Sequence, residues 1–320
     1  MIGVIGSGSW ATALVKILLE KKSQTLNWWV RDDATRQSLV TEGHNPRHLA
    51  TTSIDTSRTN ISTNLATVVA TSDLLLLALP AAYVADTLGQ LPADTYRGHR
   101  FISAVKGFVP QEAMSVSQYL EHKFLIPSSD ICVVSGPSHA EEVVEKQPTF
   151  LTIASRNRQL ADDVAQMLRC PYIHTSTFDE VTCLELCGLA KNVYAIAAGI
   201  AIGCGYGDNL LAVLTTAAAR ELQGLIPVTV PTTQFLGDLM VTCFSRHSRN
   251  RALGEALARG TSADEHFKHT RMVAEGFHSA DVMHRLSLPA PTPIADAVYR
   301  ILHESTNPKL ELEHLIDNVF

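Results

Sequence analysis

A glycine-rich turn near the beginning of the chain limits the possible folds more than any other feature. The segment Gly6-Ser7-Gly8-Ser9-Trp10-Ala11 follows the apolar run Ile2–Ile5 and matches the pattern G-x-G-x-x-G/A. It leads into Ala11–Lys21, whose apolar residues share one face of a predicted helix. A strand, a glycine turn and a helix in this order predict the first unit of a dinucleotide-binding fold.

The small residues of this turn each have a physical role. Gly6 permits the tight turn, and Gly8 lets the backbone approach a pyrophosphate. Ala11 stands where the pattern more often has a third glycine, and it is small enough for close helix–sheet packing. The phosphates would lie at the helix N-terminus, where backbone N–H groups point outward. An ordinary glycine-rich turn is the alternative, but the strand–turn–helix context favours a dinucleotide site.

The first half of the chain alternates between strand-like and helix-like patterns. Leu74–Leu79 is apolar on both faces, which suits a central parallel strand covered by helices on each side. This alternation predicts an α/β fold with a doubly wound parallel sheet of the Rossmann type. The other predicted strands are Leu26–Val30, Phe101–Val105, Ile131–Val134 and Phe150–Ala154.

The second half of the chain has a different character. From about Glu180 onward the strand signals fade, and proline clusters at Pro227–Pro231 and Pro289–Pro293 predict loops between helices. We therefore expect a dinucleotide-binding domain over residues 1–182 and an all-α substrate and catalytic domain over residues 183–320. The predicted helices are Val181–Ile202, Leu210–Leu225, Arg249–Arg259, Ser279–Leu286 and Ile294–His303.

The composition narrows the class of protein. Of the 320 residues, 46% are hydrophobic and 18% are charged, which is typical of a globular protein with a large core. The net charge of −6 favours neither nucleic acid nor an anionic membrane as a partner.

No charged, apolar leader precedes Ile2–Ile5, and the six cysteines form no C-x-x-C pair, so we expect a cytoplasmic protein with reduced thiols. The histidines show no metal-ligand spacing, so we expect no metal.

The residues after the second predicted strand bear on the choice of dinucleotide. Arg31 stands where a cation could meet the 2′-phosphate of NADP or stack on adenine. An acid at this place would instead bind the ribose 2′-hydroxyl of NAD, and Asp32 and Asp33 follow at once. We therefore expect NADP or NAD, with dual use open. The alternative is that Arg31 is a solvated surface residue.

A lysine in the middle of an apolar helix is the main candidate for catalysis. Lys191 lies within Val181–Ile202 and shares a helical face with Leu184, Cys187 and Tyr194. A lysine in such a helix must extend to solvent or face a polar cavity. A desolvated ammonium group can exchange a proton near neutral pH. A lysine that only extends to solvent is the alternative.

Three further segments place polar residues where ligands bind. Lys106, in Ser103-Ala104-Val105-Lys106-Gly107, ends a predicted parallel strand, and Ser135–Ala140 follows the next such strand. Open α/β sheets bind ligands at the carboxyl ends of their strands. Ser248-Arg249-Asn250 opens a predicted helix just after Leu236-Gly237-Asp238-Leu239, and a helix N-terminus with Arg and Asn suits a phosphate.

Together these residues resemble the NAD(P)-dependent glycerol-3-phosphate dehydrogenase family. The resemblance implies an oxidoreductase of glycerophospholipid metabolism that interconverts dihydroxyacetone phosphate and sn-glycerol 3-phosphate by hydride transfer. It also implies a homodimer. The matching segments follow in order over nearly the whole chain: Gly6–Leu14, Trp29–Arg31, Ser103–Gly107, Ser135–Ala140, Ala190–Gly199, Gly207–Asn209, Leu236–Ser245, Ser248–Arg251, Glu275–Gly276 and Ile294–Leu302.

The resemblance implies roles for the residues at matching positions. Lys191 would be the general acid/base at the substrate C2 oxygen, with Lys106 and Asp238 as further catalytic residues. The substrate-binding residues would be Lys106, Gly136, Ser138, Asn192, Asp238, Ser248, Arg249 and Asn250. The cofactor-binding residues would be Gly6, Gly8, Ser9, Trp10, Arg31, Lys106, Ala140, Arg249, Val273 and Glu275.

Some segments depart from the family pattern. His139 stands where the family has an aromatic residue, Thr215-Thr216-Ala217-Ala218 replaces a Thr-Arg-Gly turn, and the stretch before Leu236 looks shortened. These changes leave two other functions open. One is a divergent dehydrogenase of another small phosphorylated ketone or hydroxyacid, and the other is a nucleotide-binding protein that has lost catalysis. Retention of Lys106, Lys191, Asp238 and Arg249 argues against the second.

Overall fold

A computed structural model describes residues 1–226, 232–270 and 273–320 of the chain, without the side chains of residues 232–234. The described residues form two compact units. The first unit contains Met1–Val105 and Met114–Thr182, and the second contains Lys106–Ala113 and Cys183–Phe320. The segment with Lys106 therefore belongs to the unit that also contains Lys191. The loop predicted at Pro227–Pro231 lies outside the described residues.

The first unit is built on an eight-stranded sheet with the order β3-β2-β1-β4-β5-β6-β7-β8. Strands β1 to β6 are parallel, as a Rossmann-type sheet requires, with Ile2 opposite Leu26 on one side and Leu74 on the other. The strands are β1 Ile2–Ile5, β2 Leu26–Trp29, β3 Thr59–Ser62, β4 Leu74–Leu77, β5 Arg100–Ser103, β6 Ile131–Ser135, β7 Thr149–Ala154 and β8 Ile173–Phe178.

The predicted Rossmann-type sheet is confirmed, and its last two strands contain a reversal that the sequence did not indicate. Strand β7 is antiparallel to β6, with Val133 opposite Ala154, and β8 is parallel to β7. A run of apolar residues has the same pattern whichever way the strand runs, so the sequence contained no sign of the reversal. The sheet is therefore mostly parallel, with its last two strands reversed.

Helices cover the sheet of the first unit. The central strands β1 and β4 are buried at every residue because helices pack on both faces. The edge strand β3 is polar and partly exposed, which is why its pattern was too weak to predict. The helices of this unit are α1 Ser9–Leu19, α2 Asp33–Glu42, α3 Leu65–Ala70, α4 Val84–Leu88, α5 Val116–Phe124, α6 Ala140–Val144 and α7 Arg158–Leu168.

From Cys183 onward, the described residues of the second unit form helices and the loops between them, whereas its other segment, Lys106–Ala113, is not helical. Its helices are α8 Val181–Gly203, α9 Asp208–Leu225, α10 Thr232–Phe244, α11 Arg249–Ala258, α12 Ala263–Thr270, α13 Glu275–Arg285, α14 Pro293–His303 and α15 Pro308–Asn318. Helix α8 is long and apolar enough to cross a membrane, but 83% of its most apolar window is buried inside the protein. It is therefore the core helix around which the second unit packs.

Two glycines let helix α11 approach helix α8 at backbone contact. A Cβ atom on Gly199 would lie 2.0 Å from the carbonyl oxygen of Arg251, and one on Gly254 would lie 2.1 Å from that of Ile196. Both distances are far below van der Waals contact, so only glycine fits at either position. The crossing fixes the beginning of α11, which carries Ser248 to Asn250, relative to Lys191.

A buried carboxylate joins helices of the same unit. The Glu221 side chain on α9 accepts hydrogen bonds from the backbone N–H groups of Ile294 and Ala295, at 2.9 and 3.2 Å, in the first turn of α14. Burial is the main cause that raises the pKa of Glu221 to about 7, and the charge of Asp296 adds to this rise. The two N–H groups and the nearby phenol of Tyr194 lower the pKa, but by less.

This raised pKa predicts a dependence of stability on pH. In the unfolded chain the pKa of Glu221 lies near 4.5, so between about pH 4.5 and pH 7 only the folded state retains the proton. The protonated Glu221 side chain therefore contributes to stability, fully below about pH 4.5, and this contribution is lost as pH rises through about 7. We expect the free energy of unfolding to fall by about 3 kcal/mol over this range.

Urea unfolding at a series of pH values measures this effect. In the Glu221→Gln variant, which cannot titrate, the loss of stability between pH 4.5 and pH 7 should be smaller by that amount. Glu304→Gln, at an exposed glutamate at the end of α14, is the matched control and should leave the profile of the wild type unchanged. Identical profiles for Glu221→Gln and the wild type would contradict the assignment.

Candidate active site

The glycine turn after β1 has the backbone geometry that a bound pyrophosphate needs. Gly6 has a φ of 137°, and a Cβ atom there would lie 2.3 Å from the carbonyl oxygen of Ala78. At Gly8 a Cβ atom would meet nothing within 4 Å, so the space above this residue is open. The first glycine is therefore required by the fold, and the second leaves room for a ligand.

The N-terminus of α1 is suited to an anion. Gly8 is its N-cap, no side chain caps the helix, and no acidic residue lies in the first turn. Helices α2, α5, α7 and α11 are capped by the side chains of Asp32, Ser115, Asn157 and Ser248. An uncapped N-terminus behind an open glycine turn presents backbone N–H groups to phosphate oxygens. The residues present therefore fit a dinucleotide, and Ser9 and Trp10 lie in this first turn.

Two residues that the sequence patterns did not single out hold this turn in place. The buried Asn45 donates hydrogen bonds from Nδ2 to the Ser7 carbonyl oxygen and to Thr12 Oγ1, both at 2.9 Å. The buried Trp28 donates from its indole N–H to the Gly6 carbonyl oxygen at 2.7 Å. These bonds restrain the turn before a ligand binds. Both contacts are distant in sequence, so no local pattern indicates them.

The turn after β6 contains three of the proposed ligand-binding residues. Gly136 has a φ of 127°, and a Cβ atom there would lie 2.4 Å from the carbonyl oxygen of Phe150. The buried Ser138 hydroxyl donates to the Gly136 carbonyl oxygen at 2.9 Å, and Ala140 begins α6. The Ser138 hydroxyl therefore helps to shape the turn.

In the second unit, Lys191 on α8 forms an ion pair with Asp238 on α10. The two side chains are only 4% and 9% exposed, so solvent barely screens the pair. Burial raises the pKa of the thiols of Cys187 and Cys243, the second to about 12, although the charge of Lys191 lowers both. The two cysteines therefore stay uncharged beside the pair. Lys191 does not extend to solvent, which was the alternative for a lysine in this helix.

A chain of hydrogen bonds connects four of the segments that the sequence singled out. Asn192 Nδ2 donates to the carbonyl oxygens of Lys106 and Gly188, at 3.0 and 2.9 Å, and its Oδ1 accepts from Asn250 at 2.9 Å. Asn250 Oδ1 in turn accepts the backbone N–H of Gly276 at 2.8 Å. These bonds bring together Lys106, the middle of α8 and the beginnings of α11 and α13.

Gly276 is a further residue that the sequence did not explain. A Cβ atom there would lie 2.6 Å from the carbonyl oxygen of Asn192, so a larger residue would separate α13 from α8. Its neighbour Glu275 is the first residue of α13, and Val273 lies just before it, partly exposed. The position of both cofactor candidates therefore depends on this close contact.

The beginning of α11 has the features of an anion site. The buried Ser248 is the N-cap, and its hydroxyl accepts the backbone N–H of Arg251 at 3.2 Å. Arg249 is exposed in the first turn, and Asn250 is buried in the network described above. A helix N-terminus with an exposed guanidinium group favours a phosphate.

The structure thus places the site residues in two groups. The first unit carries Gly6, Gly8, Ser9, Trp10, Arg31, Gly136, Ser138 and Ala140. The second carries Lys106, Lys191, Asn192, Asp238, Ser248, Arg249, Asn250, Val273 and Glu275. Within the second group, Lys106, Asn192 and Asn250 are connected by hydrogen bonds, and Lys191 and Asp238 by an ion pair.

Known proteins are similar to this chain in both sequence and fold. Residues 1–161 match the family model for the NAD-dependent glycerol-3-phosphate dehydrogenase N-terminus, and residues 180–313 match the model for its C-terminus. The glycerol-3-phosphate dehydrogenase (NAD(P)+) of Chlorobium limicola is 34% identical over 313 residues, 95% of this chain and 93% of that protein. The enzyme of the same name from Syntrophomonas wolfei is 34% identical over 325 residues, 98% and 94% of the two chains.

A solved structure also resembles this chain over its length. The crystal structure of glycerol-3-phosphate dehydrogenase from Coxiella burnetii superposes with a TM-score of 0.91 at 27% sequence identity. The match covers 99% of this chain and 98% of that one. A mostly parallel Rossmann-type sheet followed by a helical second half is therefore the arrangement of a known enzyme fold.

Proposed function

This chain belongs to the NAD-dependent glycerol-3-phosphate dehydrogenase family, and we propose on that basis that it interconverts dihydroxyacetone phosphate and sn-glycerol 3-phosphate with NADPH or NADH. The observation that carries the proposal is the buried ion pair of Lys191 and Asp238, beside the network that leads to the beginning of α11. An ammonium group, a helix N-terminus with an arginine, and a dinucleotide turn are the parts that reduction of a phosphorylated ketone needs.

Lys191 serves as the general acid in reduction and the general base in oxidation. When bound, the nicotinamide cofactor supplies the hydride to the ketone carbon. Negative charge then develops on the C2 oxygen, and the Lys191 ammonium group stabilises this charge and donates a proton to it. Asp238 holds the ammonium group in position through their buried ion pair. In the reverse direction neutral Lys191 accepts the proton of the hydroxyl.

Asn192 acts by positioning the groups around it. Its amide hydrogens already donate to two carbonyl oxygens, and its own oxygen accepts from Asn250. This amide has little capacity left for substrate hydroxyls. We therefore assign Asn192 to fixing Lys106 and α11 relative to Lys191, its neighbour in the chain.

Arg249 provides the direct contact with the substrate phosphate. It is exposed at the N-terminus of α11, while Ser248 caps the helix and Asn250 is held in the network. The first unit holds the cofactor, with its phosphates on the Gly6–Ala11 turn. The remaining features of the proposal are a cytoplasmic location and a homodimer, as in the family resemblance.

Oxidation of NADPH and NADH, followed by absorbance, tests this function. We expect dihydroxyacetone phosphate to be reduced with a kcat/KM at least about 100-fold above that of unphosphorylated dihydroxyacetone, because each charge-assisted hydrogen bond to the phosphate contributes about 1.5–3 kcal/mol. Arg249→Ala should remove most of this preference and leave the rate with dihydroxyacetone nearly unchanged.

Arg259→Ala is the matched control, since Arg259 follows the same helix and pairs with Glu255 on the surface. It should behave like the wild type with both ketones. Equal rates with the two ketones, or no reduction of either, would exclude the proposed substrate. If the preference for the phosphorylated ketone were retained in Arg249→Ala, the phosphate would have to bind to residues other than those at the beginning of α11.

A further inference from the structure

The two acidic residues that follow β2 already have partners. Asp32 Oδ1 accepts hydrogen bonds from Thr35 N and Thr35 Oγ1, at 2.9 and 3.0 Å, and Oδ2 pairs with Arg47 Nη1 at 3.3 Å. Asp33 pairs with Arg36 at 2.9 Å. In a site that binds NAD, the acidic residue at this position accepts a hydrogen bond from a ribose hydroxyl. Here the carboxylate of Asp32 caps α2 and holds an arginine instead.

The bonds to Asp32 also stabilise its charged form. The backbone N–H and hydroxyl of Thr35 lower the pKa of Asp32, and the charges of Arg47 and Arg31 lower it further. Both guanidinium groups are therefore close enough to act on the same carboxylate. One carboxylate neutralises only one of them, which leaves a net positive charge at the end of β2.

Arg47 reaches this place because Asn45 anchors its loop to the glycine turn. The Asn45 side chain bonds to Ser7 and Thr12, and its Oδ1 accepts the backbone N–H of Arg47 at 3.2 Å. Asn45 therefore holds the backbone of Arg47 next to the glycine turn that it also restrains. The Arg47 side chain is 53% exposed, so its guanidinium group remains accessible to a ligand.

We propose that Arg47 is a specificity-determining residue that binds, together with Arg31, the 2′-phosphate of NADP(H), while Asp32 positions Arg47 and does not bind the ribose of NAD(H). The two guanidinium groups offer the planar, bidentate donors that a phosphate accepts best. A phosphate with a charge of about −1.5 to −2 fits a site with two arginines and one carboxylate better than a neutral ribose hydroxyl does. The inference deepens the proposed function and rests on its use of a nicotinamide dinucleotide.

Calorimetric titration with 2′,5′-ADP and with 5′-AMP tests the inference without any ketone. These two probes differ only in the 2′-phosphate. We expect the wild type to bind 2′,5′-ADP at least about tenfold more tightly than 5′-AMP, since each new charge-assisted pair with phosphate contributes about this factor. Arg47→Gln and Arg31→Gln should each reduce the affinity for 2′,5′-ADP by about tenfold and change that for 5′-AMP less than twofold.

Arg97→Gln is the matched control, because Arg97 is a similarly exposed arginine of the same unit, paired with Asp94 at 2.9 Å. It should change neither affinity. In turnover assays, Arg47→Gln should raise the KM for NADPH and leave that for NADH within about twofold.

Three results would overturn the inference. Equal affinity of the wild type for the two nucleotides, together with reduction of dihydroxyacetone phosphate by NADH, would leave the proposed function standing and remove the 2′-phosphate site. A preference for 2′,5′-ADP that Arg47→Gln does not reduce would assign the phosphate to other residues. Binding of neither nucleotide, with no oxidation of either cofactor, would exclude the inference and the proposed function together.

Discussion

Replacement of Lys191 by methionine should reduce kcat by roughly 10²–10⁴-fold while leaving cofactor affinity nearly unchanged. In the proposed mechanism, the side chain that donates the proton to the C2 oxygen is then absent, whereas the glycine turn proposed to hold the dinucleotide lies in the other unit. Single-turnover kinetics with dihydroxyacetone phosphate measure the loss, and quenching of tryptophan fluorescence by NADPH measures cofactor binding.

The same substitution also affects stability, and this effect must be separated from catalysis. Without the ammonium group, the buried carboxylate of Asp238 has lost its charged partner, which costs about 3–5 kcal/mol. Urea unfolding therefore has to establish that the variant is folded under the assay conditions. Lys191→Arg is the second variant, because it keeps the positive charge beside Asp238 but does not release its proton.

The two variants distinguish a proton donor from a fixed positive charge. If Lys191 transfers the proton, both variants lose turnover, although Lys191→Arg retains more stability. If the charge alone is needed, Lys191→Arg keeps most of the activity and the general-acid role is wrong. Turnover of Lys191→Met within about tenfold of the wild type, a difference of roughly 1.4 kcal/mol, would contradict both roles.

Replacement of Gly254 by alanine should destabilise the second unit by about 3 kcal/mol, near the upper end of the usual cost of overpacking a core. The new Cβ atom would lie 2.1 Å from the carbonyl oxygen of Ile196 in α8. This neighbour is backbone, so the strain can be relieved only by a shift of one helix relative to the other. Because α11 also begins with Ser248 and Arg249, the shift should raise the KM for dihydroxyacetone phosphate as well.

Gly188→Ala is the matched control, since Gly188 also lies within a helix of this unit but a Cβ atom there meets nothing within 4 Å. At this position alanine should increase stability by about 0.5–1 kcal/mol, because it favours the helix over the unfolded chain. Urea unfolding of the two variants gives both values. Similar stability changes in the two variants would contradict the close crossing of α8 and α11.

The strands of the sheet were predictable in proportion to their burial. Strands β1, β4 and β6 are buried at every residue, and their apolar runs stood out in the sequence. The edge strands β3 and β8 are partly exposed and rich in Thr and Ser, so their patterns resembled those of loops. For the same reason the helix α12, which has no buried residue, was not predicted.

The candidate site divides in a similar way between local and distant contacts. The Gly6–Ala11 turn, the lysine within α8 and the Ser248 cap were visible because each lies inside a few consecutive residues. Asn45 and Trp28 were not visible, since their bonds to the glycine turn join residues far apart in the chain. The partners of Asp32 were hidden as well, and they bear on the choice between NADP and NAD.

The sequence by itself determined the buried strands, the glycine turn, the main helices, the class of fold and the residue types available for chemistry, because hydrophobic periodicity and glycine or proline positions act over short distances. Only the tertiary structure decided the reversal of β7, the pairing of Lys191 with Asp238 and the crossing at Gly199 and Gly254. These features depend on which distant residues meet when the chain packs, and that is settled by burial and by the satisfaction of buried polar groups across the whole unit.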